Sequence, residues 1–131
     1  MKKIIFLLVI IVFSCGCKKD NSSYNSSGLT GEWSWISTCG LGGTDCQTPA
    51  STHISHKLIF KSDSLFYEYQ NDTLKISGIF HTNESGSENG VIKYDYDSGS
   101  ADRFSLTHDT LTLSNVYGFI TWVSQYKSVK P

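Results

Sequence analysis

The sequence predicts an all-β protein, an antiparallel up-and-down barrel of eight strands. Short stretches in which apolar and polar residues alternate recur from position 29 to the C-terminus, as in strands that are buried on one face. Turn-forming residues separate these stretches, and no segment has the period of an amphipathic helix. Pairing the last strand with the first would remove both exposed edges, which favours a closed barrel over an open sheet.

The predicted strands follow one another along the chain with mostly short connections. They cover residues 29–38, 53–61, 65–70, 73–81, 90–96, 103–107, 110–114 and 119–128. Two-residue turns are predicted at 71–72 and at 108–109. In the fourth strand, alternation places four residues on one face, namely Leu74, Ile76, Gly78 and Phe80.

The first strand brings two large aromatic side chains to one face of the sheet. Trp33, Trp35 and Ser37 share that face, because side chains alternate along a strand. Two tryptophans expose a large apolar area that other strands have to cover. Since the last strand should pair with the first, we expect Trp122 and Tyr126 to lie near these tryptophans.

Residues 1–17 have the features of an export signal. Lys2 and Lys3 supply a short positive region, and residues 4–13 form an unbroken apolar run of ten residues. That run is too short for a transmembrane helix, which needs about 20 apolar residues. Small residues and cysteines follow at 14–17, an arrangement that resembles the lipobox of bacterial lipoproteins. The alternative is an ordinary secretory signal in which the cysteines are incidental.

The four cysteines of the chain help to identify the acylated residue. Cleavage before Cys17 removes Cys15 and leaves Cys39 and Cys46 as one pair. Cleavage before Cys15 is also compatible with the flanking residues, but it would leave Cys17 as a free thiol in an oxidising compartment. We therefore predict lipidation at Cys17, followed at 18–28 by a Ser- and Asn-rich linker that holds the folded part away from the membrane.

Residues 29–131 are predicted to form one domain of 103 residues, which is enough for one modest hydrophobic core. Removing the signal takes away two lysines, so the mature chain has nine basic and twelve acidic side chains and a net charge of −3 with neutral histidines. No basic patch is visible, which argues against nucleic-acid binding. We expect a monomer held at the outer membrane of the cell envelope by its N-terminal acyl anchor, facing either the periplasm or the cell surface.

Several segments of the domain carry a family resemblance. They are Gly31-Glu32-Trp33 with Trp35, the glycine-rich loop 39–45, the segments 48–52 and 65–71, and the closing pair Tyr126-Lys127. In these features the chain resembles the small lipocalin-like lipoproteins of Bacteroidota. The resemblance implies that Trp33 packs at the closed end of the barrel beside a basic residue of the last strand, here Lys127. It also implies binding of a small hydrophobic or amphipathic molecule, without naming it.

Cys39 and Cys46 enclose six residues, three of them glycines, between the first two predicted strands. A metal or redox site is the functional alternative, but this spacing does not match a zinc pair and no second cysteine pair completes one. We predict a disulfide, since the domain is expected to be exported. Closing the loop should contribute roughly 2–3 kcal/mol of stability. The resemblance to lipocalins implies that this first long loop overhangs the open end of the barrel, where a closed loop would also shape a binding mouth.

Histidines and catalytic motifs give no support for an enzyme. His53 and His56 lie three residues apart on a predicted strand and therefore face opposite sides, and His81 and His108 fall at strand ends or turns. We therefore expect no metal site and no cofactor. No Gly-x-Ser-x-Gly elbow is present, and no catalytic residue is predicted.

Aromatic side chains remain as the candidate binding surface. Residues of this type near the open end could line a shallow pocket, and the candidates are Trp35, Tyr67, Tyr69, Tyr94 and Trp122. The alternative is that they fill the interior, because an eight-stranded barrel is just wide enough for side chains. A filled barrel would favour a structural or interaction lipoprotein that binds a protein partner. An interior void of about 300 Å³ or more would favour ligand binding.

Overall fold

The computed structural model describes residues 28–40, 42–83, 88–96, 100–115 and 122–129. In these residues, eight strands form one closed antiparallel barrel in which consecutive strands pair and the last strand pairs with the first. The predicted fold class is therefore confirmed. The predicted signal peptide, Cys17 and most of the predicted linker lie outside the described residues. Within the described ranges, no helix has the length and hydrophobicity needed to cross a bilayer.

The strands and one short helix follow the chain in a simple order. They are β1 (Gly31–Gly40), α1 (Pro49–Thr52), β2 (His56–Phe60), β3 (Leu65–Gln70), β4 (Thr73–Thr82), β5 (Asn89–Tyr94), β6 (Ala101–Thr107), β7 (Thr110–Asn115) and β8 (Trp122–Val129). Every strand predicted from the alternation pattern is present, and the ends that fall within the described residues differ from the predicted ones by a few residues at most. The predicted start of the last strand, at residue 119, lies outside the described residues.

The end of the barrel at which β1 begins, called the base, is filled by apolar side chains. Its buried residues include Leu29, Trp33, Leu58, Phe60, Phe80, Ile92, Phe104 and Leu111. Phe60 packs edge-to-face on Phe80 with ring centroids 5.0 Å apart. Gly31 enters β1 with a φ of +147°, which side-chain-bearing residues rarely adopt. Trp33 Nε1 donates a hydrogen bond to the Leu29 carbonyl at 2.8 Å, so the residues before β1 close the base.

The predicted contact between Trp33 and Lys127 is not formed. Ser128 lies opposite Trp33 across the seam between β1 and β8, whereas Lys127 lies opposite Ser34. Because side chains alternate along a strand, Lys127 faces outward, where its Nζ is 3.8 Å from Asp109 Oδ2. Trp33 itself is only 4% exposed, so its predicted burial at the closed end is confirmed.

Two β-bulges change which side chains face the interior. In β1, the register with β8 shifts between Trp35 and Ser37, so that Thr38 rather than Ser37 shares the inner face with the tryptophan. In β4, the register with β3 skips Lys75, and Leu74 becomes 48% exposed instead of joining the predicted inner face. Alternation alone does not predict such bulges, because one extra residue reverses the face of every side chain beyond it.

A disulfide holds the connection between β1 and β2 at the opposite end of the barrel, called the mouth. Cys39 and Cys46 form this predicted bond, with an S–S distance of 2.06 Å. Thr38 and Gln47 exchange two backbone hydrogen bonds of 2.9 and 2.8 Å, which fasten the loop to the end of β1. The prediction of a disulfide at this position is confirmed.

Helix α1 lies just before β2, and its C-terminal cap at His53 takes the place of the predicted start of a strand. The Thr48 side chain accepts a hydrogen bond from the Ser51 backbone nitrogen, and Pro49 occupies the first turn. His53 ends the helix in the left-handed conformation, with a φ of 57°. Because of this cap, β2 begins at residue 56, three residues later than predicted.

Candidate ligand-binding site

Two adjoining clefts open at the mouth of the barrel. The first cleft has a volume of about 220 Å³, and its lining includes Trp35, Thr38, His56, Glu68, Ser124 and Tyr126. The second cleft has a volume of about 190 Å³, and its lining includes Asp102, Leu113, Asn115, Trp122, Ser124 and Tyr126. Because Ser124 and Tyr126 of β8 line both clefts, the two clefts share one wall.

Hydrogen bonds order the wall of the first cleft. Trp35 Nε1 donates to Thr38 Oγ1 at 2.9 Å, and Thr38 Oγ1 lies 2.8 Å from Ser124 Oγ. The bulge in β1 makes this arrangement possible, because it turns Thr38 inward on the same face as Trp35. The His56 ring stands edge-on to the Trp35 indole, with ring centroids 5.1 Å apart. Trp35 therefore presents a fixed aromatic surface to the first cleft.

Two carboxylates lie on the inner faces of their strands and line these clefts. Glu68 on β3 is paired with the buried Leu58, and its Oε1 is 3.6 Å from Nδ1 of His56. Asp102 on β6 accepts a hydrogen bond of 3.2 Å from the hydroxyl of Tyr94. Glu68 lines the first cleft and Asp102 the second, so the described lining of each cleft includes one acidic group.

The two carboxylates give the interior of the mouth a negative field. Burial raises the pKa of Asp102 above its usual value; the hydrogen bond from Tyr94 opposes this shift, and the charge of Glu68 adds to it. Burial also raises the pKa of Tyr126, and the charges of Glu68 and Asp102 raise it further. Burial raises the pKa of Tyr94 as well, with the charge of Asp102 as the second cause. Both tyrosines therefore stay neutral at physiological pH, in a space that disfavours more negative charge.

Glu68 and Asp102 are not among the site residues predicted from the sequence, because polar residues of strands usually face solvent. A signal was nevertheless present in the spacing. Glu68 follows Phe66 by two residues, and Asp102 precedes Phe104 by two, so each carboxylate is in phase with a buried aromatic residue. A carboxylate that alternation places on an inner face is a candidate functional group.

Three of the predicted ligand-binding residues lie at or beside the mouth. Trp35 lines the first cleft, and Trp122 lines the second, where it is 48% exposed at the rim. Tyr94 is buried, and its hydroxyl is bonded to Asp102. The structure thus brings Trp35 and Trp122 to the two clefts, whereas Tyr94 orients a carboxylate beside them.

The other two predicted ligand-binding residues, Tyr67 and Tyr69, lie on the outer face of β3. Lys61 Nζ is 5.0 Å from the ring centroid of Tyr67, and Lys57 Nζ is 5.3 Å from that of Tyr69. Phe66, one residue before Tyr67, faces the interior and is buried. This placement corrects the expectation that the two tyrosines line the pocket, because a ligand in the mouth would not reach them.

A larger groove of about 460 Å³ lies on the outer wall, along β5, β6 and β7. Its lining includes Arg103 and Ser105 of β6, paired with Ser114 and Thr112 of β7. A groove on the outside of a barrel encloses less of a ligand than a cleft within the barrel end does, and small-molecule sites bury most of the ligand surface. The mouth is therefore the better candidate site, although its clefts are smaller.

Other polar groups among the described residues have the following arrangements. In the described ranges, no group of three or more His, Cys, Asp and Glu side chains is placed to hold a metal ion. His81 Nε2 lies 3.0 Å from Asp95 Oδ2, with both side chains largely exposed. Ser124 and Lys127 have the spacing of a Ser-x-x-Lys motif, but they face opposite sides of β8, so the amine does not reach the hydroxyl.

No protein family, curated protein or solved structure matches this chain at a significant level. Function therefore has to be inferred from the fold and from the chemistry of the mouth. The observations that bear on it are the closed barrel, the disulfide beside the mouth and the two clefts above the packed base.

Proposed function

We propose that this protein is a lipid-anchored lipoprotein of the cell envelope whose lipocalin-like barrel binds a small amphipathic molecule at its mouth. The observation that supports binding is the pair of clefts that share Tyr126 above a packed base. Small-molecule sites typically combine aromatic surface with a few fixed polar groups in one concavity. Trp35, ordered by its hydrogen bond to Thr38, and the bonded carboxylate of Asp102 provide both.

The clefts limit the size and the polarity of the ligand. At about 220 and 190 Å³, neither cleft alone reaches the void of about 300 Å³ that would favour ligand binding in the barrel interior, so the ligand is smaller than a drug-sized molecule or spans both clefts across Tyr126. Trp35 and Trp122 offer apolar surface, whereas Glu68 and Asp102 offer charge. This mixture favours an amphipathic molecule over a long hydrocarbon chain, for which the packed base leaves no room.

The evidence for the anchor comes from the sequence alone. Its predicted site, Cys17, lies outside the described residues. The apolar run at 4–13 and the cysteine that follows are typical of an exported lipoprotein. The disulfide between Cys39 and Cys46 suits an oxidising compartment such as the periplasm or the cell surface. The chain enters the barrel at the base, so an N-terminal anchor is attached at the end opposite the mouth.

Acylation can be tested by changing single cysteines. Cys17→Ser should prevent acylation and either release the protein from the membrane fraction or block its maturation. Cys15→Ser is the matched control and should leave acylation unchanged. Metabolic labelling with a palmitate analogue, followed by membrane fractionation, measures both effects. If Cys17→Ser protein were still labelled while Cys15→Ser protein was not, the anchor would be Cys15.

Native mass spectrometry of the full-length protein, extracted from envelopes in a non-ionic detergent, tests ligand binding. We expect a small molecule to co-purify with the wild-type protein and to be lost from Trp122→Ala, which removes a half-exposed ring from the rim. Val129→Ala is a matched control, because it shortens an exposed side chain at the other end of β8. Retention of the molecule by Trp122→Ala at the wild-type level would mean that it binds elsewhere.

The alternative function is a structural or interaction lipoprotein that binds a protein partner through the outer wall. Two observations favour it: the base is packed, and Leu74 and Ile79 of β4 are 48% and 43% exposed. With the outward-facing Tyr69 opposite Leu74 and Leu65 opposite Ile79, they form an apolar strip across β3 and β4. If this function holds, replacing Leu74 and Ile79 with serine should abolish cross-linking to the partner and leave any molecule in the mouth bound.

A further inference from the structure

We infer that the ligand is a small organic cation, an amine or a quaternary ammonium compound. Its charge would lie near Glu68 and Asp102, and its alkyl groups would pack on Trp35, Trp122 and Tyr126. This inference rests on the proposed function and names the chemical class of the molecule that binds at the mouth. It depends on three properties of the mouth, which are its charge, its aromatic surface and its size.

Among the described residues, the carboxylates in the mouth have no lysine or arginine as a partner. Among the described residues that line the two clefts, no lysine or arginine is present. His56 is the basic group nearest to Glu68, at 3.6 Å, and the partner of Asp102 is the neutral hydroxyl of Tyr94. Two negative groups in a partly desolvated space repel each other, and water screens them less than at the surface. A positively charged ligand would relieve that repulsion.

The lysines of the barrel that have acidic partners are on its outer surface. Lys57 Nζ lies 3.6 Å from Glu32 Oε1, and Lys127 Nζ lies 3.8 Å from Asp109 Oδ2. Lys57 is next to the buried Leu58, and Lys127 is next to the buried Tyr126. Because side chains alternate along a strand, both lysines point to the outer face of the barrel. The side chains that neutralise surface carboxylates are therefore directed away from the mouth.

The aromatic residues around the carboxylates suit an alkylammonium group. Trp35 and Tyr126 are directly opposed residues of β1 and β8, and Trp122 stands at the rim of the second cleft. Aromatic rings attract cations through their quadrupole, and tryptophan does so most strongly. The same rings bury alkyl groups, so one wall would hold both the positive charge and its substituents.

Other classes of ligand fit the mouth less well. A fatty acid would bring a third negative charge next to Glu68 and Asp102. A metal ion needs several converging ligands, and no such group occurs in the part of the chain that the structure describes. A long neutral lipid needs a deep cavity, whereas Trp33 and Phe60 fill the base. A small organic cation needs only a cleft of the observed size, about 220 Å³ for the larger one.

Isothermal titration calorimetry of the full-length protein in a non-ionic detergent tests this inference with two probes. The probes are choline and its uncharged isostere 3,3-dimethyl-1-butanol, which have nearly the same shape and differ in charge. We expect choline to bind at least about tenfold more tightly than the isostere, because only choline gains the attraction to carboxylates and rings. The affinity for choline should fall as salt is added, and the affinity for the isostere should not.

Neutral substitutions inside the mouth should remove this preference. Glu68→Gln and Asp102→Asn are each expected to weaken choline binding about tenfold and to leave binding of the isostere unchanged. Glu32→Gln is the matched control, because it removes a carboxylate of the outer face, and both affinities should stay at the wild-type values. The melting temperature of each variant shows whether it is folded, so that unfolding is not mistaken for the loss of a charge.

The outcomes separate this inference from the proposed function. Equal affinities for choline and the isostere would overturn the inference, while binding at the mouth would stand. Choline binding that survives both Glu68→Gln and Asp102→Asn would also overturn it, because the carboxylates would not be the recognising groups. If neither probe binds, the inference is overturned, and the proposed function fails too if native mass spectrometry finds no bound molecule.

Discussion

Replacing Trp33 with alanine removes the largest side chain of the base. Trp33 is 4% exposed, and its Nε1 donates a hydrogen bond of 2.8 Å to the Leu29 carbonyl. Truncating a buried tryptophan typically costs about 3–5 kcal/mol, because apolar contacts are lost and a cavity remains. Native stability is only about 5–15 kcal/mol, so this single change should bring the barrel close to unfolding.

Thermal unfolding followed by circular dichroism measures the effect of Trp33→Ala. For a domain of about 100 residues, each kcal/mol shifts the melting temperature by roughly 4–8 °C, so we expect a decrease of at least about 12 °C. Trp122→Ala is the matched control, because the same side chain is 48% exposed at the rim and should cost only about 2 kcal/mol, with no closed cavity left behind. A Trp33→Ala protein that melts within a few degrees of Trp122→Ala would refute the packing described for the base.

Three further substitutions test other parts of the structure. Changing Cys39 and Cys46 to serine should lower the unfolding free energy in urea by roughly 2–3 kcal/mol, since the loop is no longer closed; free thiols at both positions in the exported wild-type protein would contradict the disulfide. Asp102→Asn should raise the melting temperature at neutral pH, because burial raises the pKa of this carboxyl in the folded state. A raised folded pKa adds stability at pH values below the unfolded pKa, and that stability is lost as the pH rises through the folded pKa. The gain from Asp102→Asn should therefore shrink as the pH falls through the raised folded pKa towards the usual value of 3.8 and should be smallest below that value; a gain that is independent of pH would have another cause. Lys127→Ala should cost less than about 1 kcal/mol in the same urea assay, as for other exposed ion pairs; a larger loss would place Lys127 in the core.

The order of strands and the closed barrel follow from patterns that can be read in the sequence. Apolar residues that alternate with polar ones, interrupted by turn residues, determine the number of strands and their inward faces. Alternation fails at the two bulges, because an extra residue reverses the faces beyond it. Thr38 is therefore on the inner face although it is out of phase with Trp35, and Leu74 is exposed although it is in phase with Ile76.

Only part of the candidate site can be predicted from the sequence, because the sequence does not determine which face of β3 is buried. The segment Leu65–Gln70 has aromatic residues on both faces, so hydrophobicity alone does not determine which face is buried. Pairing of Phe66 with Phe60 settles it, and Tyr67 and Tyr69 then face outward while Glu68 faces inward. Alternation within one strand does not give this register, because the side chains that fill the interior decide it.

The indole signals of the three tryptophans provide the most direct test of binding at the mouth. In a nitrogen-15 correlation spectrum of the full-length protein in detergent, titrated with choline, the signals of Trp35 and Trp122 should shift with the same saturation curve. The signal of Trp33 should stay in place, because its indole N–H is bonded to Leu29 in the packed base. A shift confined to Trp33, or no shift of Trp35 and Trp122 at saturating choline, would contradict a cation site between the two clefts.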